Sequence, residues 1–225
     1  MTRNGPLTGL LGGSFNPAHG GHRRISLFAL GALGLDEVWW LVTPGNPLKP
    51  REGLAPLAAR LASARAMARR APVRATAIEG ELGTRYTVDT LAALLRRYPK
   101  RRFVWLMGGD NLAQFHRWRH WRRIARLVPI AVIGRPGYDG EARAAVAMGW
   151  LRRFVRPAGQ AQDWTDWSLP SLVLLDLPPD PSSATAIRAA CPKWHEPLSG
   201  AFHSPAVRDS VTRRPVNPRR PFARQ

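Results

Sequence analysis

Leu7-Thr8-Gly9-Leu10-Leu11 runs straight into Gly12-Gly13-Ser14-Phe15-Asn16-Pro17-Ala18-His19-Gly20-Gly21-His22. A short apolar run, a glycine turn and then a helical pattern read as a buried strand ending in an anion-binding loop. Glycines there let main-chain amides approach an anion closely. His19 and His22 stand three apart, which places them on one face of the helix that begins at the turn. Such a turn can hold a phosphate chain with imidazole donors beside it.

The rest of the chain repeats the alternation. Apolar runs at Val38 to Val42, Val73 to Ile78, Phe103 to Met107, Ile130 to Ile133 and Leu172 to Leu175 read as further strands. Between them lie helical patterns. His22, Ile25, Ala29 and Leu33 form one, and Leu54, Leu57, Ala58, Leu61 and Ala64 another. Thr87 to Tyr98 is a third, with Val88, Leu91 and Leu95 inward; Ile124 and Leu127 close a helix before Pro129, and another starts at Thr185. Strands alternating with helices predict an α/β fold, a Rossmann-like doubly wound parallel sheet with helices on both faces. Ligands of such sheets bind at the carboxyl ends of the strands.

With 225 residues and 44% hydrophobic composition, the chain can bury one sizeable core, expected as a single domain over 1–191. Residues 192–225 are rich in proline and arginine and poor in large apolar side chains, and read as a mobile tail, with a weak helical pattern at Val207 to Val211. No apolar run is long enough to span a membrane, and the amino terminus carries no secretory pattern. Cys191 is the single cysteine, which excludes an internal disulfide and zinc-finger sites and favours a cytoplasmic location. The net charge of +19 attracts polyanions, nucleotides and nucleic acid alike. Almost all of it is arginine, with Lys49, Lys100 and Lys193 the only lysines, and it is scattered along the chain. Compositional bias explains that scatter better than a nucleic-acid partner does.

A second motif, Ser182-Ser183-Ala184-Thr185-Ala186-Ile187-Arg188, follows the last strand and the turn Pro178-Pro179-Asp180-Pro181. Ser183 is a natural N-cap, Thr185 lies in the first turn, and Arg188 adds a cation. Alone this is ordinary capping with a solvated arginine. Beside the first motif it reads as a second phosphate contact.

These two strings resemble the nucleotidyltransferase superfamily marked by a His-x-Gly-His turn and a later Ser-x-Thr-x-Ile-Arg-type motif. From about Leu7 to about Ala190, the chain resembles more closely the bacterial nicotinate-nucleotide adenylyltransferases. Val42-Thr43-Pro44 with Lys49, the segment Glu81 to Leu91, Gly108-Gly109-Asp110-Asn111-Leu112 followed by Trp118, and Gly134-Arg135-Pro136-Gly137 carry that closer match. It implies adenylyl transfer from ATP to nicotinate mononucleotide, giving deamido-NAD and pyrophosphate.

On that resemblance His19, His22 and Arg188 are the catalytic set. Gly12, Gly13, Ser14, Phe15, Gly108, Asp110, Ser183 and Thr185 join them around ATP. Lys49, Thr84, Tyr86, Thr87, Trp118 and Arg135 fall to the second substrate: Thr87 and the amides near Tyr86 on its carboxylate, Trp118 stacked on the pyridine, Lys49 as an extra phosphate contact, Arg135 on an anion of either substrate. Mg²⁺ is expected on the triphosphate, held mainly by phosphate oxygens and water, with no protein ligand named. The sequence reading leaves open Asp110 as a mere helix cap and Trp118 as packing, since His120 and Trp121 are near.

The chain departs from the family pattern at Asn16, where aspartate is frequent, at Leu48, where histidine is common, and in the segment after Arg188, which leaves a homo-oligomer contact open. A sister adenylyltransferase acting on nicotinamide mononucleotide or phosphopantetheine is the nearest alternative. A nucleic-acid-binding protein with a vestigial nucleotide fold is the alternative of another class.

Overall fold

A computed structural model describes residues 5–45, 52–134, 144–178, 182–199 and 207–216. The strands are β1 (Leu7–Gly13), β2 (Glu37–Val42), β3 (Val73–Thr76), β4 (Arg102–Gly108), β5 (Ile130–Gly134), β6 (Val155–Arg156) and β7 (Leu172–Asp176). The helices up to residue 127 are α1 (Gly20–Ala32), α2 (Leu57–Met67), α3 (Ile78–Leu82), α4 (Thr87–Arg97), α5 (Gly109–Gln114) and α6 (Trp121–Leu127). Short helices follow at Met148–Leu151, Ala184–Ala190 and Glu196–Ser199. No helix among the described residues is long and apolar enough to cross a membrane.

The strands form one sheet in the order β3-β2-β1-β4-β5-β7-β6. β1 pairs parallel with β4, Leu7 opposite Arg102 through Leu11 opposite Leu106. The pairs β4 with β5, β5 with β7 and β6 with β7 are parallel too. This is the expected Rossmann-like α/β architecture. Strand order reverses between β1 and β4, the switch point at whose carboxyl ends such sheets bind ligands. β1 ends in Gly12-Gly13, and β4 runs into Gly108-Gly109.

The chain divides into two compact units. One comprises Met1–Leu11, Ile25–Val38 and Tyr86–Pro179; the other Gly12–Arg24, Trp39–Arg85 and Asp180–Gln225. In the first, Leu10, Leu33, Leu91, Leu94, Val104, Ile124, Ile130 and Leu172 are wholly buried. Gly9 is required by close packing, because a Cβ there would come within 2.8 Å of Leu35 and 2.9 Å of Leu106. Arg101 Nη1 donates to Thr8 Oγ1 at 2.8 Å and to Glu37 Oε1 at 2.5 Å, so the charged head ties the starts of β1 and β2 together. In the second unit the inner end of β2 (Trp39 to Val42) and α2 (Leu61, Ala64) supply buried apolar side chains. Continuous burial of every β2 residue fits an internal strand of a parallel sheet.

Three sequence expectations are corrected. The third strand stops at Thr76, since Ile78 already opens α3. Within α4, Leu94 and not Leu95 is fully buried. Residues 144–171, for which no element was read in the sequence, hold a short helix, β6 and a 3₁₀ segment at Ala158–Asp166. That segment is fixed by Trp164, 1% exposed, whose indole N–H donates to the Leu33 carbonyl at 2.9 Å. Finally, the region after residue 191 is not simply a tail. Helix Glu196–Ser199 packs on α2, and residues 207–216 fold back through an antiparallel bridge between Arg208 and Pro215, where the sequence shows only a weak helical pattern at Val207 to Val211. Hydrogen bonds to the carboxylate of Asp209 replace the missing apolar side chains there.

Trp164→Ala should cost about 3–5 kcal/mol of stability through lost packing and an orphaned carbonyl. Urea unfolding checks this; a loss under 1 kcal/mol would show that the 3₁₀ segment is not part of the core.

Candidate active site

The turn after β1 is held from below and from the side. Gly13 accepts, through its carbonyl, the N–H of Thr43 at 3.0 Å. Phe15 adopts a left-handed φ of 48° and turns its ring inward, where it is 1% exposed. The ring stacks on Trp40 at 5.1 Å and lies 4.7 Å from the His22 imidazole. The ring of Phe15 is therefore packing, and only its main chain is left to face the turn.

His19 lies just before α1 and His22 in its first turn, so they do not both sit on the helix as the spacing suggested. They still converge, with ring centroids 3.9 Å apart. The carbonyl of His19 accepts the His22 N–H at 3.1 Å, and the His19 N–H donates to His22 Nδ1 at 3.3 Å. Because an amide can only donate, Nδ1 is the acceptor and the imidazole proton sits on Nε2. Gly21 makes room for this pair: a Cβ there would lie 3.1 Å from the His19 ring. Burial, then the nearby His19, pull the His22 pKa down from 6.5 to about 3. His22 is therefore a neutral hydrogen-bond donor at physiological pH.

The second motif comes to the same turn. Ser183 Oγ accepts the Ala186 N–H at 3.0 Å, the expected N-cap of helix Ala184–Ala190. Arg188 Nη1 donates to the carbonyl of Asn16 at 2.6 Å, and Nη2 donates to Thr185 Oγ1 at 3.2 Å. Residues separated by 172 positions thus share one loop. Both hydroxyls act as acceptors in these bonds and keep their own protons for a ligand.

The remaining site residues belong to the other unit, except Lys49 and Thr84. Asp110 is exposed in the first turn of α5 and makes no cap bond; the N-cap is Gly108. A Cβ at Gly108 would sit 2.5 Å from Asp110 Oδ1, so a side chain there would displace the exposed Asp110 carboxylate. Tyr86 is the N-cap of α4 and Thr87 its first residue. Trp118 is half-buried, edge-on to Trp105 at 6.1 Å and to Phe115 at 5.4 Å. The guanidinium of Arg119 lies 4.7 Å over the Tyr86 ring. Thr84 donates its N–H to the Glu79 carbonyl at 3.0 Å. Lys49 and Arg135 lie outside the described residues.

A cytidylyltransferase-like family model matches residues 10–190. A protein of Erythrobacter litoralis named "Probable nicotinate-nucleotide adenylyltransferase" is 61% identical over 209 residues, covering 93% of this chain and 94% of that one. A relative of the same name from Parvibaculum lavamentivorans is 53% identical over 184 residues, 82% of this chain and 92% of its own. The chain belongs to the nicotinate-nucleotide adenylyltransferase family. Among solved structures, the Plasmodium falciparum nicotinic acid mononucleotide adenylyltransferase complexed with NaAD superposes with a TM-score of 0.61 at 14% identity, covering 82% of this chain and 83% of that one. Its complex with APC gives 0.57 at 13% over the same shares. At such identity the likeness concerns the fold.

The parts played by Arg60 and Asn16 were missed in the sequence, where Asn16 stood only as a departure from the family pattern. Arg60, on α2, is 1% exposed. Its Nε donates to the Ala55 carbonyl at 2.8 Å, Nη1 to those of Ser14 at 2.7 Å and Thr43 at 2.6 Å, and Nη2 to Pro44 at 3.3 Å. Burial lowers its pKa from 12.5 to about 10, so it stays charged at neutral pH. A buried cation met, among the described residues, by carbonyl dipoles adds positive potential at the turn after β1. The other is Asn16, whose Nδ2 donates to the Gly53 carbonyl at 2.9 Å and whose Oδ1 accepts the Ala55 N–H at 3.2 Å. An amide satisfies both partners where a carboxylate could satisfy only one, which accounts for the departure from aspartate. An arginine in an amphipathic pattern and an asparagine in a turn carry no signal that separates these roles from solvated ones.

His22 should stay neutral down to about pH 3 in the free protein. Its contribution to stability is then full above pH 6.5 and lost as pH falls from there toward 3. ATP should raise this pKa, because phosphate charge favours the imidazolium. An NMR titration of the His22 ring with and without ATP checks both. A midpoint near 6.5 without ligand would contradict the buried, neutral assignment.

Proposed function

We infer that this chain transfers the adenylyl group of ATP to nicotinate mononucleotide, giving deamido-NAD and pyrophosphate in NAD biosynthesis. The observation that carries the reading is Arg188 bonded to the Asn16 carbonyl, on the turn that presents His19 and His22. Donors at both ends of one loop suit a triphosphate.

In the reaction a 5′-phosphate oxygen of the mononucleotide attacks the α-phosphorus of ATP in line. The new P–O bond forms as the bond to the bridging oxygen of pyrophosphate breaks, and the leaving group carries away the charge. No covalent enzyme intermediate is needed, so positioning and charge stabilisation do the work. His22 Nε2–H donates to an α-phosphate oxygen as charge builds, with His19 alongside. Arg188, Ser183 and Thr185 hold the β- and γ-phosphates, and the amides of Gly12, Gly13, Ser14 and Phe15 line the turn. Gly108 and Asp110 take the adenosine, the carboxylate suiting a ribose diol. Trp118 offers a ring face to the pyridine, and Thr84, Tyr86 and Thr87 take its carboxylate at the start of α4, where the helix dipole favours an anion. Lys49 and Arg135 are assigned to phosphate and anion contacts by family pattern alone.

Mg²⁺ is part of the proposal. Residues 12–24 and 182–191 contain no aspartate or glutamate, so the donor set at the turn is imidazole, hydroxyl and guanidinium. That set fits a metal whose oxygen ligands come from the phosphates and water. When bound, Mg²⁺ neutralises triphosphate charge. The exposed free thiol of Cys191 supports a cytoplasmic location.

Pyrophosphate release from ATP and nicotinate mononucleotide tests the assignment. Turnover is expected, faster with the acid than with nicotinamide mononucleotide. His22→Ala should lower kcat/KM by about 2–4 kcal/mol, roughly 30- to 1,000-fold. Equal use of the amide would contradict the acid preference. Full activity in His22→Ala would remove His22 from the mechanism.

A further inference from the structure

The family match ends at residue 190. Residues 207–216 lie beyond it, yet they are built into the second unit around a buried carboxylate. Asp209 is 1% exposed. Its Oδ2 accepts the Thr76 hydroxyl at 2.8 Å and the Ala77 N–H at 2.7 Å. Its Oδ1 accepts the N–H groups of Val211 at 2.8 Å and Thr212 at 2.9 Å. The segment also closes on itself: the Asp209 N–H donates to the Arg214 carbonyl at 2.9 Å, and the Val216 N–H to that of Val207 at 3.0 Å. One carboxylate therefore shapes a tight hairpin and fastens it to the rest of the unit.

The fastening points lie at the two ends of one element. Thr76 and Ala77 precede α3, and Thr76 Oγ1 in turn accepts the Ile78 N–H at 3.1 Å. Glu81 stands near the end of α3, where it accepts the Thr212 hydroxyl and lies 3.6 Å from Arg214 Nη1. The Ser210 N–H donates to the Ala75 carbonyl of β3 at 3.3 Å. A helix as short as Ile78–Leu82 has no stability of its own, so its direction must be imposed from outside. After Gly83, in the left-handed conformation at φ 65°, the chain runs directly into Thr84, Tyr86 and Thr87.

We propose that the 207–216 hairpin is a strap that sets the position of the nicotinate-binding segment, with Asp209 as its positioning residue. This rests on the assignment of Thr84, Tyr86 and Thr87 to the nicotinate mononucleotide. The strap touches neither substrate. It acts by fixing both ends of α3, and so the point from which the substrate segment departs. Its effect should fall on one substrate, because the anchors described for the hairpin, Ala75, Thr76, Ala77 and Glu81, all lie on β3 and α3, which lead into the nicotinate segment.

The test uses the full-length chain with Asp209→Asn and, separately, Thr212→Val. The first turns one acceptor oxygen into a donor that faces donors. The second releases Glu81 while leaving Asp209 in place. Steady-state kinetics would be measured with each substrate varied, beside thermal unfolding of each variant. The expected result is a rise in KM for nicotinate mononucleotide of about tenfold in Asp209→Asn and a smaller rise in Thr212→Val, with KM for ATP within about twofold of wild type. Equal rises in both KM values, or a lowered melting temperature with unchanged kinetics, would reduce the strap to a structural support and overturn the proposal. If Asp209→Asn does not fold, Thr212→Val decides: an unchanged KM for the mononucleotide overturns it. Absence of turnover in the wild-type protein is a separate outcome, and would overturn the assigned reaction together with the substrate segment the strap is said to serve.

Discussion

The bond from Arg188 to the carbonyl of Asn16 is the contact on which the site depends. It joins two motifs that the sequence separates by almost the whole chain. Arg188 also donates to Thr185 in the preceding turn of its helix, so the guanidinium is oriented before any ligand arrives. Preorganised donors cost no rearrangement when charge develops, and this is where most of the benefit in phosphoryl chemistry lies. Asn16 completes the arrangement: its carbonyl receives the arginine while its side chain ties the turn to Gly53 and Ala55.

Electrostatics in the turn follow from burial. His22 is kept neutral by its aromatic and imidazole neighbours, and its tautomer is dictated by a main-chain amide. Arg60 stays charged although it is buried, because carbonyls from Ser14, Thr43, Ala55 and Pro44 surround it. The turn thus pairs a fixed positive charge at Arg60 with a neutral donor at His22. That pairing suits the triphosphate of the proposed reaction, whose negative charge both groups would meet.

Much of this was legible in the sequence. The strand and glycine turn at Leu7 to Gly13, the N-cap at Ser183 and the alternation of strands and helices rest on local rules of period and capping, and local rules survive folding. What the sequence hid depends on long-range contacts. Arg60 reads as one more surface arginine in an arginine-rich chain. Asp209 reads as part of a polar tail, because the feature that folds residues 207–216 is a hydrogen-bonded carboxylate and not an apolar run. Trp164 sits in a 3₁₀ segment, whose period matches neither template. The position of His19 ahead of α1 turned on a helix boundary, the least certain part of any reading by spacing.

A double-mutant cycle between His22→Ala and Arg188→Ala, read as kcat/KM for ATP, tests most directly whether one triphosphate is held by both motifs. The account predicts that the double variant loses less than the sum of the single losses, with a coupling of about 1 kcal/mol or more, since each residue works on a ligand the other has placed. Losses that add to within about 0.3–0.5 kcal/mol would mean that the two side chains serve independent sites, and would contradict it.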